Sequence, residues 1–248
     1  MQTSGNTIFI PGGTSGIGLG LALRFQAAGN TVIIAGRRTE LLESISSEHP
    51  GIETIELDVT DAAAVAEVSK QVQARWPETN VLLTMAGIML PEDVHTDAFL
   101  DTAESIVVTN LLGTIRLIGG FTEFLATKPD AAIITVSSGL ASVPLPFTPT
   151  YNATKAAIHS LSEGIRVQLS DTSIQVIELV PPAVQTTLMG QQDDPSSMPL
   201  EEFLSETMSL LERQPDAHEI LVERVKFLRN AEVEGRYDEV LTLLSGRH

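Results

Sequence analysis

Short apolar runs rich in valine and isoleucine alternate with longer amphipathic stretches from the first residues to about residue 180. The short runs are typical of strands buried on both faces, as the strands of a parallel sheet are. This alternation predicts βαβ units with right-handed crossovers, and therefore a doubly wound parallel sheet with helices on both faces. The predicted strands are Thr7–Pro11, Thr31–Ala35, Ile52–Leu57, Val81–Met85, Ala131–Val136 and Ser173–Leu179, and the predicted helices cover about 16–28, 39–48, 61–75, 97–126 and 150–170.

No linker, repeat or low-complexity segment interrupts this alternation, so residues 1–248 are predicted to form a single α/β domain. After the sixth strand, a polar stretch at 191–197 precedes an amphipathic run. We expect a lid over the site at about 186–212, with a solvated surface loop as the alternative. Ala217–Asn230 and Tyr237–Leu244 have apolar stripes at helical spacing and are predicted to be extra C-terminal helices. The sheet would then have six strands, or a very short seventh.

Composition excludes several classes of function. Lys and Arg number 15 against 32 Asp and Glu, giving a formal net charge of −17, which repels nucleic acids and anionic membranes. The chain has no cysteine, which excludes disulfides and thiolate chemistry. The sequence shows neither a signal-peptide pattern nor the run of roughly 18 apolar residues that a membrane-spanning helix needs. We therefore expect a cytoplasmic protein. No metal site is predicted, because no ligand spacing links His49, His95, His159, His218 and His248.

A glycine-rich segment follows the first predicted strand directly and opens the first predicted helix. Glycines allow a tight turn and a close backbone approach to a pyrophosphate, while the helix N-terminus presents free N–H groups. Placed between strand and helix, the segment favours a Rossmann-type dinucleotide site. The residues expected at the cofactor are Gly12, Thr14, Ser15, Gly16, Ile17 and Gly18.

The residues after the second and third strands bear on the choice of nucleotide. NAD sites usually have an acidic residue after the second strand for the ribose 2′-hydroxyl, whereas this chain has Arg37 and Arg38 there. Because a guanidinium binds phosphate with two parallel hydrogen bonds, we expect NADP(H) to be preferred, with NAD(H) as the alternative. After the third strand, Asp58 and Val59 are candidates for adenine contact. Asp58 could equally cap the next helix.

A tyrosine and a lysine lie four residues apart at Tyr151 and Lys155, so a helix would place the phenol and the ammonium on one face. A phenol titrates near 10, and a neighbouring cation lowers this pKa toward the range of acid–base catalysis. Ser137 and Ser138 follow the fifth predicted strand, from which a serine hydroxyl could reach the same crevice.

Together these motifs resemble the short-chain dehydrogenase/reductase family, over nearly the full chain to about residue 187. The family's T-G-x-x-x-G-x-G is matched by 11–18, with Pro11 replacing the threonine, and its serine thirteen positions before the tyrosine selects Ser138. The resemblance implies that Tyr151 exchanges a proton with the carbonyl oxygen and that Ser138 hydrogen-bonds this oxygen. It further implies that Lys155 lowers the tyrosine pKa and contacts the ribose, while Asn110 holds a relay water.

Two segments depart from the family pattern. Thr84-Met85-Ala86-Gly87 replaces Asn-Asn-Ala-Gly, although the backbone of Ala86 and Gly87 is still expected to line the cofactor. Pro181-Pro182 replaces Pro-Gly, and the second proline has no N–H and cannot take a positive φ, so the loop beside the nicotinamide must differ. Pro181, Val184 and Thr186 remain expected cofactor neighbours.

The resemblance implies a carbonyl reductase or alcohol dehydrogenase that uses NADP(H). Two alternatives stay open, namely a non-catalytic NADP(H)-binding regulator or redox sensor, and an epimerase or lyase on the same scaffold. We expect a homodimer joined through the helices at 97–126 and 150–170, with a homotetramer as the alternative. An apolar ketone or alcohol is expected, since the expected wall residues are Leu140, Leu145, Pro182 and Leu188, with Val143, Pro144, Phe147 and Met189 beside them.

Overall fold

A computed structural model describes residues 1–246, so that His248 lies outside the described residues. Its seven strands form one parallel sheet in the order β3-β2-β1-β4-β5-β6-β7, with helices on both faces, which confirms the predicted Rossmann-type fold. The order reverses between β1 and β4, and in open sheets of this kind ligands bind at this switch point, beyond the carboxyl ends of the strands.

The bounds of the elements are as follows. The strands are β1 (Thr7–Pro11), β2 (Thr31–Gly36), β3 (Ile52–Glu56), β4 (Thr79–Leu83), β5 (Ala131–Val136), β6 (Ile174–Val180) and β7 (Glu219–Leu221). The α-helices are α1 (Gly16–Ala27), α2 (Thr39–Glu48), α3 (Ala62–Arg75), α4 (Ala98–Ile106), α5 (Gly113–Leu125), α6 (Pro149–Gln168), α7 (Leu200–Arg213), α8 (Lys226–Arg229) and α9 (Tyr237–Ser245).

Alternation along the central strands divides the core into two layers. Ile8 and Ile10 of β1 face the layer that contains α1 and α7, whereas Phe9 faces the opposite layer. In the second layer the ring of Phe9 stacks on Phe121 of α5 with the ring centroids 5.3 Å apart. Because both faces of the sheet are covered, its inner strands are mostly apolar, as the sequence pattern predicted.

Three predicted elements need correction. The fourth strand covers Thr79–Leu83 and not Val81–Met85. The helix predicted at 97–126 is divided by a π-helical turn, Val107–Leu112, that separates α4 from α5. The segment Ala217–Asn230 is not one helix, because its first residues form β7 beside β6 and only Lys226–Arg229 is α-helical. The spacing of its apolar residues is compatible with both a helix and a strand. Backbone pairing with the edge of β6 stabilises the strand.

The continuous helical segment Ala98–Leu125 has the length and a mean hydropathy of 1.3 that would allow it to cross a membrane. Ile106, Leu117, Phe121 and Leu125 are nevertheless buried within the protein. One side of the segment therefore packs in the core of the domain.

Candidate active site

The glycine-rich loop lies at the carboxyl end of β1 and borders a cleft of about 370 Å³. Gly12 has a φ of +90°, and a Cβ there would lie 2.4 Å from the backbone nitrogen of Ala86, so a side chain is excluded. α1 begins at Gly16, and the Ser15 side chain does not cap it. The first N–H groups of α1 are therefore available to a phosphate. The cleft is lined by all six predicted loop residues, Gly12, Thr14, Ser15, Gly16, Ile17 and Gly18.

The far end of this cleft is built from the ends of β2 and β3. Arg37 and Arg38 line it with exposed side chains. Asp58 accepts hydrogen bonds from the backbone and hydroxyl of Thr60 at 2.9 and 2.7 Å. These bonds and the nearby Arg37 hold the pKa of Asp58 below its usual value, although burial opposes them. Asp61 caps α3, which removes the capping alternative for Asp58.

The groups around the cleft fit a dinucleotide phosphate on chemical grounds. The glycine-rich loop leaves no room for a Cβ at Gly12 and leads into the N-terminus of α1, where a phosphate can be bound. The guanidinium groups of Arg37 and Arg38 at the far end of the cleft are suited to bind a further phosphate. Val59, Ala86, Gly87 and Thr186 also line the cleft, as predicted for the cofactor-binding set.

A second cavity, of about 620 Å³, adjoins the first and contains the predicted reactive groups Ser138, Tyr151 and Lys155. The two spaces share Ile17, Met85, Gly87, Thr186 and Leu188 among their lining residues. A ligand at this junction would therefore contact both the glycine-rich cleft and the tyrosine.

The Ser138 side chain acts on the Tyr151 phenol by lowering its pKa. Ser138 Oγ accepts the backbone N–H of Leu140 at 3.1 Å, which leaves its own proton available to the phenol or to a bound oxygen. Burial is the larger effect and raises the pKa of Tyr151 to about 12. The neighbouring Ser137 hydroxyl is buried without a hydrogen-bond partner in the described chain.

Lys155 lies one turn after Tyr151 on α6, with Nζ 5.5 Å from the centroid of the tyrosine ring. Nζ donates to the carbonyl of Val136 at 2.8 Å. Burial lowers the pKa of Lys155 to about 8, and the carboxylate of Glu178 acts in the opposite direction. The sequence led us to expect a tyrosine pKa lowered by the lysine. Burial dominates, and the Tyr151 pKa is raised instead.

Asn110 belongs to the π-helical turn between α4 and α5, a distortion that is frequent at functional sites. Its side chain accepts the backbone N–H of Ile88 at 2.8 Å and donates to the Ile88 carbonyl at 2.9 Å. It also donates to Thr154 Oγ1 at 3.3 Å, next to Lys155 on α6. Asn110 therefore fixes the loop that carries Gly87 between the cofactor cleft and α6.

Comparison with known proteins agrees with this arrangement. A family model described as short chain dehydrogenase matches residues 6–196. The uncharacterized oxidoreductase DltE of Bacillus subtilis is 38% identical over 239 residues, which make up 93% of each chain. The chain belongs to the short-chain dehydrogenase family. It is thus an oxidoreductase of that family, as the sequence motifs predicted.

Two further relatives of the short-chain dehydrogenase family are informative. The NADP-dependent 3-hydroxy acid dehydrogenase YdfG of Salmonella typhi is 30% identical over 181 residues, which make up 73% of each chain. A short chain dehydrogenase from Burkholderia cenocepacia, solved in complex with NADP, has the same fold with a TM-score of 0.85. It is 24% identical, and the match covers 98% of this chain and 99% of that one.

In the present chain, backbone hydrogen bonds hold both segments that depart from the family pattern. The N–H of Met85 bonds the carbonyl of Pro11 at 3.0 Å, which joins β4 to the glycine-rich loop without asparagine side chains. The carbonyl of Pro181 accepts the N–H of Gly139 at 2.9 Å, beside Ser138. Pro181 and Val184 line the catalytic cavity and not the first cleft.

The cavity walls include residues that the sequence did not suggest. Leu140, Leu145, Phe147, Pro182 and Leu188 line the cavity as predicted, whereas Val143 is packed in a C-terminal core cluster. Pro144 and Met189 are not among the lining residues. The lining residues that sequence reasoning missed are Met89, Val136, Ala183, Gln191, Asp194, Ser196, and Leu228 and Leu244 of α8 and α9. The apolar stripes of the C-terminal helices were the one available signal, but they do not reveal what they cover.

Only the first part of the predicted lid segment borders the cavity. Leu188 and Gln191 lie in a 3₁₀ turn in which Met189 has a positive φ of 55°. Phe203 and Leu204 of α7 are fully buried in the core beside α1. A lid function for 186–212 stays a prediction.

Proposed function

We propose that this protein is an NADP(H)-dependent reductase that interconverts an uncharged apolar ketone or aldehyde and the corresponding alcohol. The observation that carries the proposal is the junction of the two cavities. Ser138, Tyr151 and Lys155 line a cavity that shares five wall residues with the glycine-rich cleft. A carbonyl carbon at this junction would lie between a hydride donor and a proton donor.

The protonation states favour the reductive direction. When bound, NADPH supplies the hydride, and the protein supplies the proton and the alignment. With a pKa of about 12, Tyr151 holds its proton at neutral pH and can act as the general acid. Ser138 can donate a second hydrogen bond to the same carbonyl oxygen, because its acceptor side is occupied by Leu140 N–H. The Lys155 ammonium would stabilise the phenolate that forms.

The charge of the cavity supports an uncharged substrate. Lys155 is the one cationic residue among the described residues that line it. Asp194 also lines the cavity, and its carboxylate accepts hydrogen bonds from Ser196 and Ser197. A substrate carboxylate would therefore find an aspartate in the cavity wall and no arginine among the described lining residues with which to pair. We accordingly expect substrates that differ from the acids for which the Salmonella relative is named.

Arg37 and Arg38 support a preference for NADP(H). Loss of a charge-assisted hydrogen bond costs about 1.5–3 kcal/mol, which corresponds to roughly a 10- to 100-fold weaker NADPH affinity in the Arg37→Ala/Arg38→Ala double variant. NADH affinity should change little. The matched control is Arg75→Ala, at the C-terminal end of α3, where the guanidinium stacks on Trp76. Equal losses for NADPH and NADH would contradict the preference.

The decisive experiment follows NADPH and NADH oxidation with a panel of apolar ketones, aldehydes and 3-oxo acids. Tyr151→Phe should reduce turnover roughly 10²- to 10⁴-fold while NADPH still binds, since only the general acid is lost. Tight NADPH binding with no turnover of any carbonyl would refute the proposal and favour the regulator alternative. A cofactor that co-purifies and is not consumed would favour the epimerase or lyase.

A further inference from the structure

A buried glutamate faces the inner side of α6, below the proposed active site. Glu178 of β6 is 1% exposed and pairs in register with Thr135 of β5 and Glu219 of β7. Thr135 bonds Ser162 of α6, so this face of the sheet packs against α6. Lys155 and His159 lie one turn apart on that helix, and His159 Nδ1 is 2.8 Å from Glu178 Oε2. A carboxylate is therefore fixed beside the helix face that carries the lysine.

The other charged groups around Glu178 are compensated within the protein. On β7, Glu219 accepts two hydrogen bonds from the guanidinium of Arg229 of α8, at 2.7 and 3.1 Å. On α6, Glu163 lies 4.0 Å from His159 Nε2 and is largely exposed. Arg166, also on α6, donates to the carbonyls of Val176 and His218, and the N–H of Glu178 bonds the same His218 carbonyl.

The ligand atoms of His159, Glu178 and Glu219 lie within 4.8 Å of one another, a spacing that a metal ion could use. Glu219 already accepts two hydrogen bonds from Arg229, and His159 is hydrogen-bonded to Glu178, so these groups satisfy one another without a metal ion. The members of this group are thus paired with one another, and Glu178 is held by His159, one turn along α6 from Lys155.

Lys155 needs a counter-charge because it is buried. Its Nζ hydrogen-bonds only a neutral carbonyl, that of Val136, among the described residues. Desolvation lowers its pKa, and Glu178 is the carboxylate that opposes this effect.

We propose that Glu178, oriented by His159, is a positioning residue that keeps the Lys155 side chain in its ammonium form at neutral pH. The catalytic consequence rests on the proposed reductase function, whereas the effect on the lysine does not. Substitution of the carboxylate by an amide of the same shape should therefore change the titration of Lys155 while leaving the fold intact.

The direct test is a lysine titration on the full chain, which has only four lysines, Lys70, Lys128, Lys155 and Lys226. With ¹³C at the lysine ε-carbons, NMR gives one titrating signal for each, and Lys155→Met identifies the signal of Lys155. In Glu178→Gln the pKa of Lys155 should fall below its value of about 8, because the opposing carboxylate is lost. The signals of the other three lysines report whether the variant is folded.

Two further variants separate charge from structure. Glu178→Asp retains the carboxylate and should return the Lys155 pKa toward its wild-type value. Glu163→Gln removes an exposed carboxylate from the same network and should leave the Lys155 pKa unchanged. The proposal is overturned if folded Glu178→Gln keeps the wild-type Lys155 pKa, or if Glu163→Gln lowers it equally.

The kinetic counterpart is a pH profile of kcat/KM for the best ketone. A lysine whose pKa is about 8 is half protonated at pH 8, and a fall of one unit in its pKa would leave about one-tenth protonated there. Glu178→Gln should then be slower than wild type at pH 8, by about fivefold for a fall of one unit, and nearly equal to it at pH 6. A uniform loss at both pH values would contradict the proposal. An inactive wild type with a shifted lysine titration would refute the reductase function and leave this inference standing.

Discussion

The C-terminal helix α9 offers a sharp test of how the catalytic cavity is supported. Leu244 is 6% exposed, lines this cavity and packs in a small core cluster with Val143, Ala231 and Val240. Its neighbour Leu243 is 49% exposed on the same helix. The same substitution at these two adjacent positions therefore compares a buried side chain with an exposed one at matched helix propensity.

Leu244→Ala should lower the free energy of unfolding by about 2–3 kcal/mol, at the lower end of the range for buried leucines, because the cluster is small and borders an open cavity. For a chain of this size each kcal/mol corresponds to roughly 2–4 °C, so Tm should fall by roughly 4–12 °C. Leu243→Ala should change the free energy of unfolding by no more than about 0.5 kcal/mol.

Both values can be measured by urea denaturation followed by circular dichroism, with thermal melts as a second readout. Truncation of Leu244 also widens the cavity, so KM for small ketones should rise relative to KM for bulky ones. Equal destabilisation by the two substitutions, or a neutral Leu244→Ala, would refute the placement of α9 against the loop that follows Ser138.

Further predictions concern backbone freedom, pH and assembly. Gly119→Ala in α5 should stabilise the fold by about 1 kcal/mol in denaturation, because the added Cβ meets no atom within 4 Å. Gly12→Ala should abolish NADPH binding measured by fluorescence titration, because its Cβ would clash with Ala86. Reductase kcat/KM should be constant below the Lys155 pKa of about 8 and decline above it; a rate that rises through pH 8 would contradict a role for the ammonium. Ile115→Asp, on an exposed part of α5, should convert the expected homodimer to a monomer in light scattering, which a monomeric wild type would contradict.

The elements that the sequence predicted well are those specified by local pattern. Six of the strands follow from runs of buried apolar residues, with end positions that differ by up to two residues. The glycine-rich loop and the four-residue spacing of Tyr151 and Lys155 also follow from local geometry, since a turn and a helix each fix the relation of nearby residues. β7 was misassigned because three residues are too few to establish a period, and pairing with β6 decides its conformation.

The sequence by itself determined six strands of the sheet, the glycine-rich loop and the candidate reactive side chains, because each depends on residues close together in the chain. Only the tertiary structure decided which distant residues surround them. The sequence identified Leu228 and Leu244 as apolar residues but not as residues that line the cavity. No local pattern indicated that Glu178, within a mostly apolar strand, would be buried. The direction of the Tyr151 pKa shift was also predicted wrongly, because burial by distant residues raises this pKa. Desolvation and counter-charge sum over all groups packed around a side chain, and that sum exists only once the chain has folded.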